Sequence, residues 1–142
     1  MKLLLARPHD FIVEAMRATV KALELEPVRL ASLDELSALR SAEFCGAVIS
    51  MAPTSTVRAT LAEVHRAVTS RWPSKPLIIT GLSSLQSARL GLRAELIGVE
   101  VVGRADHPGP GAALYLTDAD LKDATPALLQ VMRSHLRLPV SR

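Results

Sequence analysis

Three short apolar runs, Leu3–Ala6, Phe44–Ser50 and Leu77–Thr80, constrain this chain more than any other feature. Each is strand-length, and each is followed by a polar turn and a stretch whose apolar residues recur three or four positions apart. Parallel strands need crossover helices and are covered by them on both faces. Alternation of this kind therefore predicts a parallel sheet between two helical layers. Two weaker strands complete the pattern, Val28–Leu30 after Pro27 and Val99–Val102.

The first three runs are almost wholly apolar, as strands buried on both faces must be, whereas Arg29 and Glu100 suit edges. The predicted order is 2-1-3-4-5, the flavodoxin-like order, in one three-layer α/β domain over residues 1–142. Asp10 is a candidate N-cap for a helix burying Phe11, Ala15, Met16, Val20 and Leu23. Ser32-Leu33-Asp34-Glu35 reads as a capping box. Val57, Leu61, Val64 and Val68 mark a third helix, closed by Trp72-Pro73. Ser84 caps a fourth, which turns Leu85, Ala88, Leu92 and Leu96 inward. Gly103–Gly111, rich in Gly and Pro, is a loop; Ala113–Leu116 is a candidate further strand. Thr117 caps one turn, and Thr125-Pro126 starts the last helix, whose apolar positions are Leu128, Leu129, Val131, Met132 and Leu136.

Composition narrows the function. With 142 residues, 49% hydrophobic and 22% charged, the chain can bury one proper core and is not disordered. Aromatics at 3% give no base-stacking platform. The net charge of +3 is interspersed; its densest basic stretch is Arg58, Arg66, Arg71, Lys75, Arg89 and Arg93. No nucleic-acid-binding signature accompanies it, so nucleic acid is not the expected partner. Cys45 is alone in an apolar run, which excludes an internal disulfide and a multi-cysteine metal site. His65, His107 and His135 lack metal-ligand spacing, and no cofactor is expected. No signal peptide and no apolar run of about 18 residues is present, so a cytoplasmic location is expected.

Lys2–Ala6, His9–Arg17, Phe44–Ser50 and Pro76–Gly81 together resemble the bacterial response-regulator receiver (CheY-like) family, over roughly residues 2 to 137. That family holds magnesium on an acidic pair after its first strand and takes a phosphoryl group on an aspartate ending its third. A Ser or Thr ending the fourth strand and a Lys ending the fifth complete the pocket. Metal and lysine neutralise the charge crowded around the attacking carboxylate. Here Arg7-Pro8 stands in place of the acidic pair and Ser50 in place of the aspartate, while Thr80 matches the hydroxyl. For the lysine two alignments compete. A strand at 99–102 gives Arg104 or Ala105, and a strand at 113–116 gives Asp118. Asp10 beside an arginine is a poor magnesium site.

The resemblance implies a degenerate receiver that is not phosphorylated. The leading expectation is a non-enzymatic signalling or adaptor module that binds protein partners, as a homodimer. The chain ends soon after its last helix, so a stand-alone module is expected. Leu90, Ala94 and Ile97 carry apolar character beyond one face of the fourth helix and mark the candidate partner face. The alternative is burial of that face under the 103–111 loop. A second reading is a sensor for an anionic metabolite or nucleotide at Arg7, Pro8, His9, Asp10, Ser50, Thr80 and Arg104. A third is a small enzyme with His9 as base and Ser50 as nucleophile, although no elbow motif surrounds Ser50.

Overall fold

The computed structural model describes residues 1–104 and 112–139. Its strands are β1 (Lys2–Arg7), β2 (Glu26–Arg29), β3 (Phe44–Ser50), β4 (Leu77–Gly81), β5 (Val101–Val102) and β6 (Ala113–Thr117). All pair in parallel, in the order β2-β1-β3-β4-β6-β5. The helices are α1 (Asp10–Ala15), α2 (Arg17–Ala22), α3 (Leu61–Arg71), α4 (Leu85–Glu95), α5 (Asp118–Lys122) and α6 (Pro126–His135). Two 3-10 turns, Leu33–Ala38 and Ser41–Glu43, precede β3.

Strand alternation builds two cores. Leu4, Ala6, Ala47, Ile49, Ile79 and Tyr115 face α3 and α4, meeting Leu61, Val64, Val68, Ala88 and Leu92. Leu3, Leu5, Val48, Ile78, Leu114 and Leu116 face the other way, onto Ile12, Met16, Val20, Leu121, Leu128 and Met132. Cys45 is buried in this second core, as its apolar surroundings suggest.

The flavodoxin-like architecture is the one expected, with a change at one edge. Ala113–Thr117 takes the place beside β4, and Val101–Val102 pairs outside it as a sixth strand. Its partly buried Val-Val pair fits that outer position. The side chain that caps α1 belongs to His9, whose Nδ1 accepts from Ile12 N at 3.3 Å; Asp10 is the first helical residue. The buried stripe is then Ile12, Met16, Val20 and Leu23, and Phe11 faces solvent. The Ser32–Glu35 capping box forms, but on a 3-10 turn. Val57 is buried in the loop ahead of α3, whose N-cap is Thr60. The caps at Ser84, Thr117 and Thr125 form as read. Most of the predicted 103–111 loop, residues 105–111, lies outside the described residues.

Gly46 is where β3 passes closest to its surroundings. A Cβ there would collide with the Pro76 carbonyl oxygen, which accepts from Ala47 N, and would lie 2.9 Å from Leu136 Cδ2. The first neighbour is backbone and cannot swing aside. Gly46→Ala is expected to destabilise the fold by roughly 1–3 kcal/mol, read from the urea unfolding midpoint. An unchanged midpoint would contradict this packing.

Candidate functional site

The candidate site lies at the carboxyl ends of β1, β3, β4 and β6, where open α/β sheets present their loops. Arg7 closes β1. The β1–β3 register slips by one residue between Leu5 and Arg7, an irregularity of the kind that re-aims a side chain. Arg7 is 6% exposed. Its Nη1 donates to the carbonyls of Ser50 at 2.7 Å and Ala52 at 2.5 Å, and its Nε donates to Ala59 at 2.9 Å. These acceptors begin and end the segment between β3 and α3. Pro8 adds to the same seam: its carbonyl accepts from Thr56 N at 3.1 Å and from Ser55 Oγ at 2.5 Å. Burial pushes the Arg7 pKa below its ordinary value, while Glu95 acts weakly the other way; guanidinium remains charged regardless.

Other expected site residues are distributed differently. Ser50 is buried, and its Oγ accepts from Ala52 N at 3.1 Å, a local turn bond. Asp10 pairs at the surface with Arg29, 2.5 Å away. Arg104 pairs with Asp120 at 3.2 Å. Arg7 therefore neither pairs with Asp10 nor lies in solvent. Its guanidinium faces carbonyl oxygens, and an anion would have to compete with them. Ser50 and His9 are not joined by a hydrogen bond among the described residues, and each serves a turn or a cap.

Thr80 does meet a partner. Its Oγ1 donates to Asp118 Oδ1 at 2.5 Å, and both side chains are buried. His9 stands on the other side of that carboxyl, with Nε2 4.0 Å from Asp118 Oδ2. Because Nδ1 accepts from Ile12 N, the neutral ring carries its proton on Nε2. That nitrogen is buried and has no hydrogen-bond partner among the described residues. Beside them, Tyr115 donates its hydroxyl to the Ser83 carbonyl at 2.5 Å. Burial raises the Tyr115 pKa, and the carboxylates of Asp118 and Asp120 raise it further. Gly81 admits this ring: a Cβ there would stand 2.7 Å from the Tyr115 hydroxyl.

Tyr115 is the site residue that the sequence pattern did not name, and Asp118 entered it only as one of two alternatives for the lysine position. The signal was the second of the two alignments, in which 113–116 is the strand beside β4 and Asp118 follows it. With β6 paired to β4 through Thr80↔Leu116 and Gly81↔Thr117, that alignment is the one realised. A carboxylate thus stands where the receiver pattern has a lysine. Among the described residues, no group of three or more His, Cys, Asp or Glu could hold a metal ion.

No family model and no curated protein matches the chain. Among solved structures, it is similar to a response regulator receiver domain protein from Clostridium thermocellum. The two share 15% identity with a TM-score of 0.57, over 96% of this chain and 94% of that one. The chain has the receiver-type fold.

Arg7 bonds three carbonyls that burial would otherwise leave short of donors. Arg7→Met is expected to cost roughly 2–4 kcal/mol in urea unfolding. Amide exchange should also accelerate across residues 51–60. An unchanged midpoint with unchanged exchange would remove Arg7 as the anchor of that segment.

Proposed function

We propose that this chain is a non-enzymatic signalling module of receiver type that works without phosphoryl transfer, by contact with protein partners. The observation that carries the reading is the position of Arg7. A fixed cation sits on the carbonyls of Ser50 and Ala52, next to the place where a receiver's phospho-accepting aspartate ends its third strand. A receiver needs a removable divalent ion, a nucleophilic carboxylate and a lysine at this edge. This chain offers a guanidinium, the Ser50 hydroxyl and the Asp118 carboxylate. Attack on a phosphoryl donor then lacks both its nucleophile and part of its charge neutralisation.

The surface proposed for contact is the outer face of α4. Leu90 is 82% exposed on α4, with exposed Ala94 one turn on, and Ile97, in the turn that follows the helix, is 86% exposed. A second copy of the chain covering these residues would remove apolar area from water. No helix among the described residues is long and apolar enough to cross a membrane, and the module is proposed to act in the bacterial cytoplasm.

Light scattering and intact-mass measurement, with and without acetyl phosphate and magnesium, test both halves. The mass and the dimer are expected to be unchanged by the phosphodonor, and Leu90→Glu is expected to be monomeric. A gain of one phosphoryl group would contradict the phosphorylation-independent reading. A monomeric wild type, or a Leu90→Glu variant that stays dimeric, would contradict the proposed face.

A further inference from the structure

Between the ends of β3, β4 and β6 and the first turns of α4 lies a cavity of about 280 Å³. Its walls include Met51, Pro53, Leu82 and Ala88, and its polar groups include Ser87, Tyr115 and Asp118. Every lining residue but Asp118 is uncharged at neutral pH. Asp118 is 5% exposed. Its Oδ1 accepts from Thr80, and its Oδ2 has no hydrogen bond among the described residues. Among the described residues the nearest cationic candidate is His9 Nε2 at 4.0 Å, beyond hydrogen-bond range. Burial of a carboxylate is costly unless a counter-charge or donors complete it, and here the completion is partial.

We propose that this cavity binds a small organic cation, an ammonium or guanidinium group on a short aliphatic chain, with Asp118 as its counter-ion. The volume falls just below the usual range for ligand pockets, which suits a molecule of few heavy atoms. Met51, Pro53, Leu82 and Ala88 offer apolar surface to methylene groups. The Ser87 and Tyr115 oxygens offer further acceptors to the N–H groups. The selected charge is opposite to that of an anion site at Arg7. The site does not depend on the α4 face forming a dimer.

Gly91 provides a way to close the cavity without touching Asp118. A Cβ at that position meets only Met51 Cε, at 4.0 Å, and replacing a helical glycine favours α4. The test is titration with n-butylammonium, n-butyrate and n-butanol, followed by the amide shifts of Ala52, Gly81, Ser83 and Ser87. Saturable shifts are expected with n-butylammonium alone. Asp118→Asn should weaken them at least about tenfold, and Gly91→Leu should abolish them. The proposal is overturned if n-butylammonium does not saturate, or if n-butyrate or n-butanol binds as well. Binding that persists undiminished in Gly91→Leu also overturns it. Should Asp118→Asn fail to fold, the three ligands decide the charge preference and Gly91→Leu decides the location.

Discussion

The guanidinium of Arg7, seated on the carbonyls of Ser50, Ala52 and Ala59, fixes the carboxyl edge of the sheet. The β3–α3 segment would otherwise bring several backbone acceptors into a partly buried seam with few donors. A planar cation with donors in a fixed fork meets them from one residue on the neighbouring strand. The Pro8 carbonyl, taking Ser55 and Thr56 as donors, closes the same seam one residue later. Two adjacent residues of β1 and its turn thus hold a segment that is far away in sequence. A removable metal ion could hold such an edge only while bound; a covalently attached cation holds it permanently.

That permanence has consequences for chemistry. With the positive charge committed to carbonyls, Ser50 is left as a local turn-former, and the one buried carboxylate among the described residues, Asp118, lies across the sheet. There Thr80 supplies its hydrogen bond, and His9 approaches without closing one. The edge has become bipolar, with a satisfied cation under β3 and an incompletely satisfied anion under β6. The second pole opens onto the cavity beside Tyr115. Meanwhile α4 keeps one face in the core through Ala88 and Leu92 and exposes Leu90, and the turn after it exposes Ile97. Surface and cavity share this helix, so cavity occupancy and contact at α4 are physically adjacent.

Much of the fold was legible because buried parallel strands and amphipathic helices leave strong periodic marks. Phe44–Ser50 is a strand with the bounds its apolar run implies, and Ser84, Thr117 and Thr125 cap as their side chains suggest. The site was less legible, since it depends on which strand lies beside β4. Val99–Val102 and Ala113–Leu116 are both short and apolar, and local pattern does not separate them. Pairing does: Ala113–Leu116 is buried throughout, whereas Val101 and Val102 are only partly covered. Choosing between them decides whether Arg104 or Asp118 meets Thr80. The role of Arg7 was hidden for another reason. Its partners are backbone carbonyls, which carry no sequence signature, and a one-residue slip in register aims it at them.

In the function proposed for this chain Arg7 occupies this edge in place of a metal ion, and paramagnetic relaxation tests that directly. Manganese, added stepwise, broadens amide signals close to any bound ion. The amides of Arg7, Ser50 and Ala52 are expected to keep their intensity while Arg7 is present. Selective loss of these three signals at low manganese would show that a divalent ion still binds there, and would contradict the account.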